Sequence, residues 1–321
     1  MKRSVLLLLA VVFSLSFPLK SECVEFPTRP LQIVVPFPAG GAADVVARIL
    51  APRLGEHLGK AVTVVNKPGA GAGVGLQFVA GSKPDGYTLV TTPPNLMILE
   101  HTVPNIAFSH RDFQPVSLPT SFTNVVVVSS KSQWKTLEDL VDYGKKNPGK
   151  LNHGNAGAGA MSTLLADWLA DLTGIEITQI PYGGEAPALV AMLGGRIDFS
   201  IPNISSTMSY VKSGQVRILA ISHPERLKTL PGAPTMTEKG YPDFSFINWH
   251  MYMVPANTPK QVVDTLGEAF QKVLREEEVV KALENVGAAV ENWGPEKSAD
   301  LLKKDDEKWS RVIKKVAGKT K

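Results

Sequence analysis

With 321 residues, 44% of them hydrophobic and 20% charged, the chain is long enough for about two domains and too apolar to be disordered. Its single cysteine, Cys23, excludes an internal disulfide, a cysteine-ligated zinc site, a CxxC redox pair and an iron–sulfur cluster. The net charge of +4 falls to +2 once Lys2, Arg3, Lys20 and Glu22 of the N-terminal segment are set aside, so charge gives no argument for a nucleic-acid partner.

Lys2 and Arg3 precede an apolar run from Val5 to Phe17, which Pro18 ends. A basic start followed by about a dozen apolar residues predicts a secretory signal peptide over residues 1–23, too short for the roughly 20 residues that span a bilayer. The mature protein is expected to be soluble and exported. From Leu31 a strand, a glycine-rich turn and a helix alternate. Leu31 to Pro36 is a short continuous apolar run, as in a strand buried on both faces. After Pro38-Ala39-Gly40-Gly41 comes a helical pattern through Val45, Ile49, Leu54 and Leu58, in which Pro52 is expected to kink the helix or mark a second start.

Further strands are predicted at Ala61–Val65, Tyr87–Thr92, Asn124–Ser129, Ile175–Ile180, Ile197–Ile201, Ile218–Ser222 and His250–Pro255. Helices are predicted at Leu137–Lys146, Ala160–Leu172, Ala186–Leu193, Ser205–Lys212 and over nearly all of the chain after Pro259. This alternation predicts an α/β protein with mostly parallel sheets flanked by helices. No Pro- or Ser-rich linker divides the chain, which suggests that it crosses between two lobes more than once.

Familiar catalytic frameworks are missing. None of the six histidines begins HExxH, no serine sits in GxSxG, and the glycine clusters 69–75 and 154–159 do not complete GxGxxG. An exported hydrolase with an unrecognised Ser/His/Asp triad is the alternative reading, because triad members need only meet in space. What does recur is the glycine-rich turn before a helix, at 36–41, 154–159 and 182–184, with a further glycine-rich loop at 66–75. Such turns present backbone NH groups at the positive end of a helix dipole, where an anion can be held. Each turn taken alone also fits plain βα geometry.

The stretch Phe26-Pro-Thr-Arg-Pro-Leu-Gln-Ile-Val-Val-Pro-Phe-Pro-Ala-Gly-Gly-Ala-Ala-Asp44 closely resembles the Bug-type solute receptors of tripartite tricarboxylate transporters. So do Val65-Asn-Lys-Pro-Gly-Ala-Gly71, Pro84-Asp-Gly-Tyr-Thr-Leu89, Gly195-Arg-Ile-Asp198 and Leu230-Pro-Gly-Ala-Pro-Thr235, in order along the mature chain. The resemblance implies a two-lobed, type II periplasmic binding protein with a ligand cleft between lobes. Lobe one would be residues 26–123 plus 250–321, and lobe two residues 124–249. It implies a monomeric, non-enzymatic receptor without cofactor or metal. Its cargo would be a small organic carboxylate, either a dicarboxylate or an aromatic or aliphatic acid, passed to membrane permease subunits. The carboxylate would be held by backbone and water.

Ligand-binding candidates are thus Phe37, Ala39, Gly40, Gly41 and Asp44 in the first lobe, and Asn155, Ala156, Gly157, Gly159, Ala160, Tyr182, Gly183 and Asn203 in the second. Ala160, Thr163, Gly183 and Asn203 stand where the family more often has a serine, a histidine, a lysine and an aspartate. Asp44 would accept from a ligand amine or simply meet the helix dipole, Phe37 would flank the ligand or fill the core, and Asn155 and Asn203 would contact ligand or cap helices. Trp249 and His250 are expected to pack at the return crossing between lobes.

Overall fold

The computed structural model describes residues 25–103, 106–155, 160–227 and 229–317. The expected signal peptide, residues 1–23, lies outside them, as do Ala156, Gly157 and Gly159 of the third turn.

The chain opens with three parallel strands, β1 (Leu31–Val35), β2 (Val62–Asn66) and β3 (Thr88–Thr92), joined through helices α1 (Ala42–Leu58) and α2 (Gly73–Ala80). After α3 (Asn95–Thr102), strand β4 (Phe113–Phe122) leads through Thr123 and Asn124 into β5 (Val125–Ser129) of a second sheet. There follow α4 (Leu137–Lys146), β6 (Leu151–Asn155), α5 (Met161–Thr173), β7 (Ile177–Pro181), α6 (Glu185–Leu193), β8 (Phe199–Ser200), α7 (Ile204–Lys212) and β9 (Val216–Ile221). The chain then returns to the first sheet as β10 (Asn248–Pro255), and ends with α8 (Lys260–Val273), α9 (Glu277–Asn285), β11 (Ala289–Trp293) and α10 (Pro295–Ala317). The six-stranded sheet has the order β11-β4-β10-β3-β1-β2 and the five-stranded sheet the order β7-β6-β8-β5-β9.

The sheets are mixed, where the alternation of elements predicts mostly parallel ones. β10 is antiparallel to β3 and β4, β11 to β4, and β5 to both β8 and β9. The reason is topological. Strands of a βαβ unit end at the junction between the sheets, whereas β5 and β10 begin there and so run the other way.

Three strands and two helices escape the sequence reading. β4 carries Pro115 and Pro119, which argue against a central strand, yet its pairing with β10 slips register beside them and so tolerates the missing NH groups. β6, Leu-Asn-His-Gly-Asn, has no apolar run, although His153 and Asn155 are buried. β11 breaks the helical tail, and α2 and α3 arise within or after glycine- and proline-rich loops. Pro52 neither kinks nor restarts α1, which is one helix of 17 residues. It sits on the exposed face, where the carbonyl deprived of its partner can turn to water, while Leu50, Ala51 and Leu54 hold the opposite face in the core.

One face of the first sheet packs Ile33 and Tyr252 against Leu50 and Leu54 of α1 and Leu266 and Phe270 of α8. On the other face, Val34, Leu76 and Leu99 join a core that continues through Trp309 of α10 to Trp168 of α5, beneath the second sheet. The Trp168 and Trp309 rings meet edge to face at 5.7 Å. On either side of them, Trp249 donates its indole NH to Asp305 at 2.6 Å and Lys315 pairs with Asp171 at 2.6 Å. Both Trp249 and His250 are buried at the return crossing, where His250 lies against Phe122 with ring centroids 4.7 Å apart.

Candidate functional site

The described candidate residues stand at the carboxyl ends of the parallel strands in both sheets, the edge where open α/β sheets hold their ligands. In the first sheet, β1 ends at Pro36 and the turn to Gly41 delivers the chain to α1. Gly40 has φ +84°, open to glycine without strain, whereas Gly41 is the helix N-cap in extended backbone at φ −74°. No side chain caps α1, so the NH groups of its first turn at Ala42 and Ala43 remain at the mouth of the helix.

Asp44 is part of the frame of this turn. Its buried carboxylate accepts from the Gly40 NH at 2.9 Å, from Arg48 Nε at 3.0 Å and from Asn66 Nδ2 at 2.9 Å. Burial alone would raise its pKa, but the bonds from Arg48, Gly40 and Asn66 outweigh that and hold the carboxyl below its ordinary value. Asn66 Nδ2 also reaches the Phe37 carbonyl at 3.1 Å, so the end of β2 braces the turn after β1. Phe37 is half-buried and packs against the cores on both faces of the sheet. Ala39, Gly40 and Gly41 are exposed. The Gly40 NH is therefore engaged by Asp44, and the donors free for an anion shift to the helix mouth.

The loop at 66–75 serves packing instead. A side chain at Gly75 would come within 2.7 Å of Pro36 Cβ, and Asn95 holds the Gly71 carbonyl at 2.8 Å.

In the second sheet, Asn155 ends β6 and is buried, with Nδ2 donating to Gln179 Oε1 at 2.8 Å. Gln179 Oε1 also accepts from His153 Nδ1 at 2.8 Å, and its Nε2 donates to the Thr163 carbonyl at 3.1 Å and Asp167 at 2.8 Å. One glutamine thereby ties the exit of β6 to the first turn of α5. Burial depresses the His153 pKa to about 4, so the ring is neutral. Ala160 is the N-cap of α5 in extended backbone and, like Gly41, offers no side-chain cap. The Tyr182 NH bonds the Asn155 carbonyl at 3.0 Å, which brings the exits of β6 and β7 together. Gly183 is exposed with open space where a side chain would stand. Asn203 caps α7, its Oδ1 accepting from Ser205 N at 3.1 Å and Ser205 Oγ at 3.0 Å.

Contacts thus join Phe37, Gly40 and Asp44 in one group and Asn155 and Tyr182 in another. Asn203 contacts instead a residue the sequence reading passes over: Glu185 Oε1 accepts the Asn203 NH at 3.1 Å. Gln179, Asn66 and Arg48 are missed likewise, because a polar residue inside a strand or helix has no motif to mark it. His110 sits 2.7 Å from Glu100 and 3.6 Å from Asp306, and His57 is 2.7 Å from Glu276.

Residues 46–317 match the family described as tripartite tricarboxylate transporter family receptor. The chain is 33% identical to the protein BugT of Bordetella pertussis over 92% of both chains. Among solved structures, it is 28% identical to an R. palustris protein determined with adipate, at TM-score 0.81 over 91% of this chain and 99% of that one. It is 29% identical to MatC from Rhodopseudomonas palustris with bound malate, at TM-score 0.79 over 90% of this chain and all of the other. The two-sheet α/β architecture is shared with the periplasmic binding protein BugD, 33% identical at TM-score 0.78 over 91% of this chain and 99% of that one, and the chain belongs to the tripartite tricarboxylate transporter receptor family.

Proposed function

We propose that the protein is an exported, periplasmic receptor that captures a small organic carboxylate between two lobes and hands it, chemically unchanged, to the permease of a tripartite tricarboxylate-type transporter. The single observation that carries the reading is family membership together with the carboxylates held by two relatives of the same fold, adipate and malate. The lobes are residues 26–123 plus 250–321 and residues 124–249, a division supported by which strands enter which sheet. The carboxylate rests on backbone NH groups at the N-termini of α1 and α5, near Gly41 and Ala160, with Phe37, Asn155 and Tyr182 shaping the walls.

A thermal-shift screen against organic acids tests this, since a ligand at 100 times its dissociation constant stabilises the fold by about 2.7 kcal/mol. An acid that raises the melting temperature and is recovered intact from the complex is the expected result. Turnover of the acid to another compound, or no response across mono-, di- and tricarboxylates, would overturn the reading.

A further inference from the structure

Glu185 stands in the first turn of α6, directly after the Tyr182–Gly184 turn at the carboxyl end of β7. It is half-buried, and its carboxylate is turned toward the first turn of α7, where Oε1 accepts the Asn203 NH at 3.1 Å and Oε2 lies 2.5 Å from Ser206 Oγ. Ser206 has one hydroxyl proton and is also 2.8 Å from the Asn203 carbonyl, so it cannot serve both acceptors at once. No lysine or arginine occurs in residues 182–187 or 200–207, and the described ion pairs do not include Glu185. Burial pushes its pKa up, and only the bonds from Ser206 and Asn203 oppose this. The positive end of α7, which could have received an anionic ligand, is thus already filled by an acid of the chain itself.

In the first sheet, Arg48 of α1 is paired with the candidate Asp44 at 3.0 Å. Glu185 thus follows the candidates Tyr182 and Gly183 along the chain, bonds the backbone of the candidate Asn203, and has no described ion pair to offset its charge.

The geometry points to Glu185 as a specificity-determining residue, which sets the site for a ligand with one carboxylate and a hydrogen-bond donor such as a hydroxyl or ammonium group at its other end, and against a second carboxylate there. A donor group would use the lone pairs that Asn203 and Ser206 leave open. A second carboxylate would face Glu185 with no cation between them, a repulsion that deepens as water leaves a closing cleft. This inference rests on the receptor reading above and narrows its ligand class.

The test measures, by calorimetry, the affinities of the mature protein and of Glu185→Gln for matched acids of two lengths: succinate against 4-hydroxybutyrate, and adipate against 6-hydroxyhexanoate and 6-aminohexanoate. Glutamine keeps an oxygen for the Asn203 NH and can donate to Ser206, so the turn has no reason to collapse. The wild-type protein is expected to bind the hydroxy or amino acid at least about tenfold more tightly than the diacid of equal length, and Glu185→Gln to narrow or invert that ratio by about tenfold. A wild-type preference for the diacid, or a ratio unmoved by the substitution, would overturn the inference while leaving the receptor reading intact. Failure of all five acids to bind the wild-type protein would count against the receptor reading itself, and this inference would fall with it.

Discussion

The side-chain amide of Asn248 donates to the side-chain oxygen of Asn124 at 3.0 Å, joining two residues 124 positions apart in the chain. Each stands where the chain passes between sheets, Asn124 just before β5 and Asn248 at the start of β10, and both are buried. The Asn124 NH is held in turn by Ser222 Oγ at 3.1 Å. The two crossings are thus fastened to each other and not merely laid side by side. Asn124→Leu should strand the Asn248 amide and destabilise the fold by about 1–3 kcal/mol in urea unfolding. Adding Asn248→Leu should recover part of the loss, so that the double variant is less damaged than the sum of the singles.

Gly41→Asp separates binding from folding. At φ −74°, and with the Pro38 carbonyl 3.5 Å from the place of a new Cβ, the position accepts a side chain. An aspartate there would cap α1 and meet its dipole, so thermal stability should hold or rise slightly. The same carboxylate would occupy the helix mouth, and binding of an acid identified in the screen should fall at least a hundredfold by calorimetry. Wild-type affinity in the folded variant would move the ligand elsewhere.

Asp44→Asn is not a silent change of charge. The Gly40 NH, Arg48 and Asn66 all donate to this carboxylate, and an amide cannot accept from all three. A loss of about 1–3 kcal/mol of stability is expected, with weaker ligand binding because the turn before α1 is no longer braced. Denaturant unfolding and calorimetry on the same preparation check both effects.

His153 and His250 set an acid limit. Burial lowers the pKa of each to about 4, against about 6.5 in the unfolded chain. Between those values the unfolded state takes up protons that the folded state refuses. Stability conferred by these two rings is therefore complete above about pH 6.5 and is lost as pH falls toward 4, at up to about 1.4 kcal/mol per pH unit for each ring. Nuclear magnetic resonance of the imidazole protons should show both rings untitrated at pH 5.

Much of the fold is legible in the sequence, because apolar runs such as Leu31–Val35 and the capping box around Thr136 are local signals, and α4 over Leu137–Lys146 is read to the residue. What is not legible depends on partners far along the chain. β4 is strand-like only because β10 and β11 flank it, and its prolines mislead until the register slips are seen. In the site, the glycine turns announce themselves, but sequence alone cannot assign the Gly40 NH, which a side chain four residues ahead takes up. Glu185 is silent for the same reason: an acid in the first turn of a helix looks like an ordinary favourable charge until its neighbour at Asn203 is known.

The edge-to-face contact of Trp168 and Trp309 has a spectroscopic consequence. One ring rides on a helix of the second sheet, the other on the C-terminal helix that lies along the first, and Phe244 and Phe246 complete their surroundings. If ligand capture swings one sheet against the other, these two indoles change environment together. Their emission is then an intrinsic gauge of closure that needs no label, and Trp309→Phe should dim the signal while leaving the ligand's affinity nearly as it was.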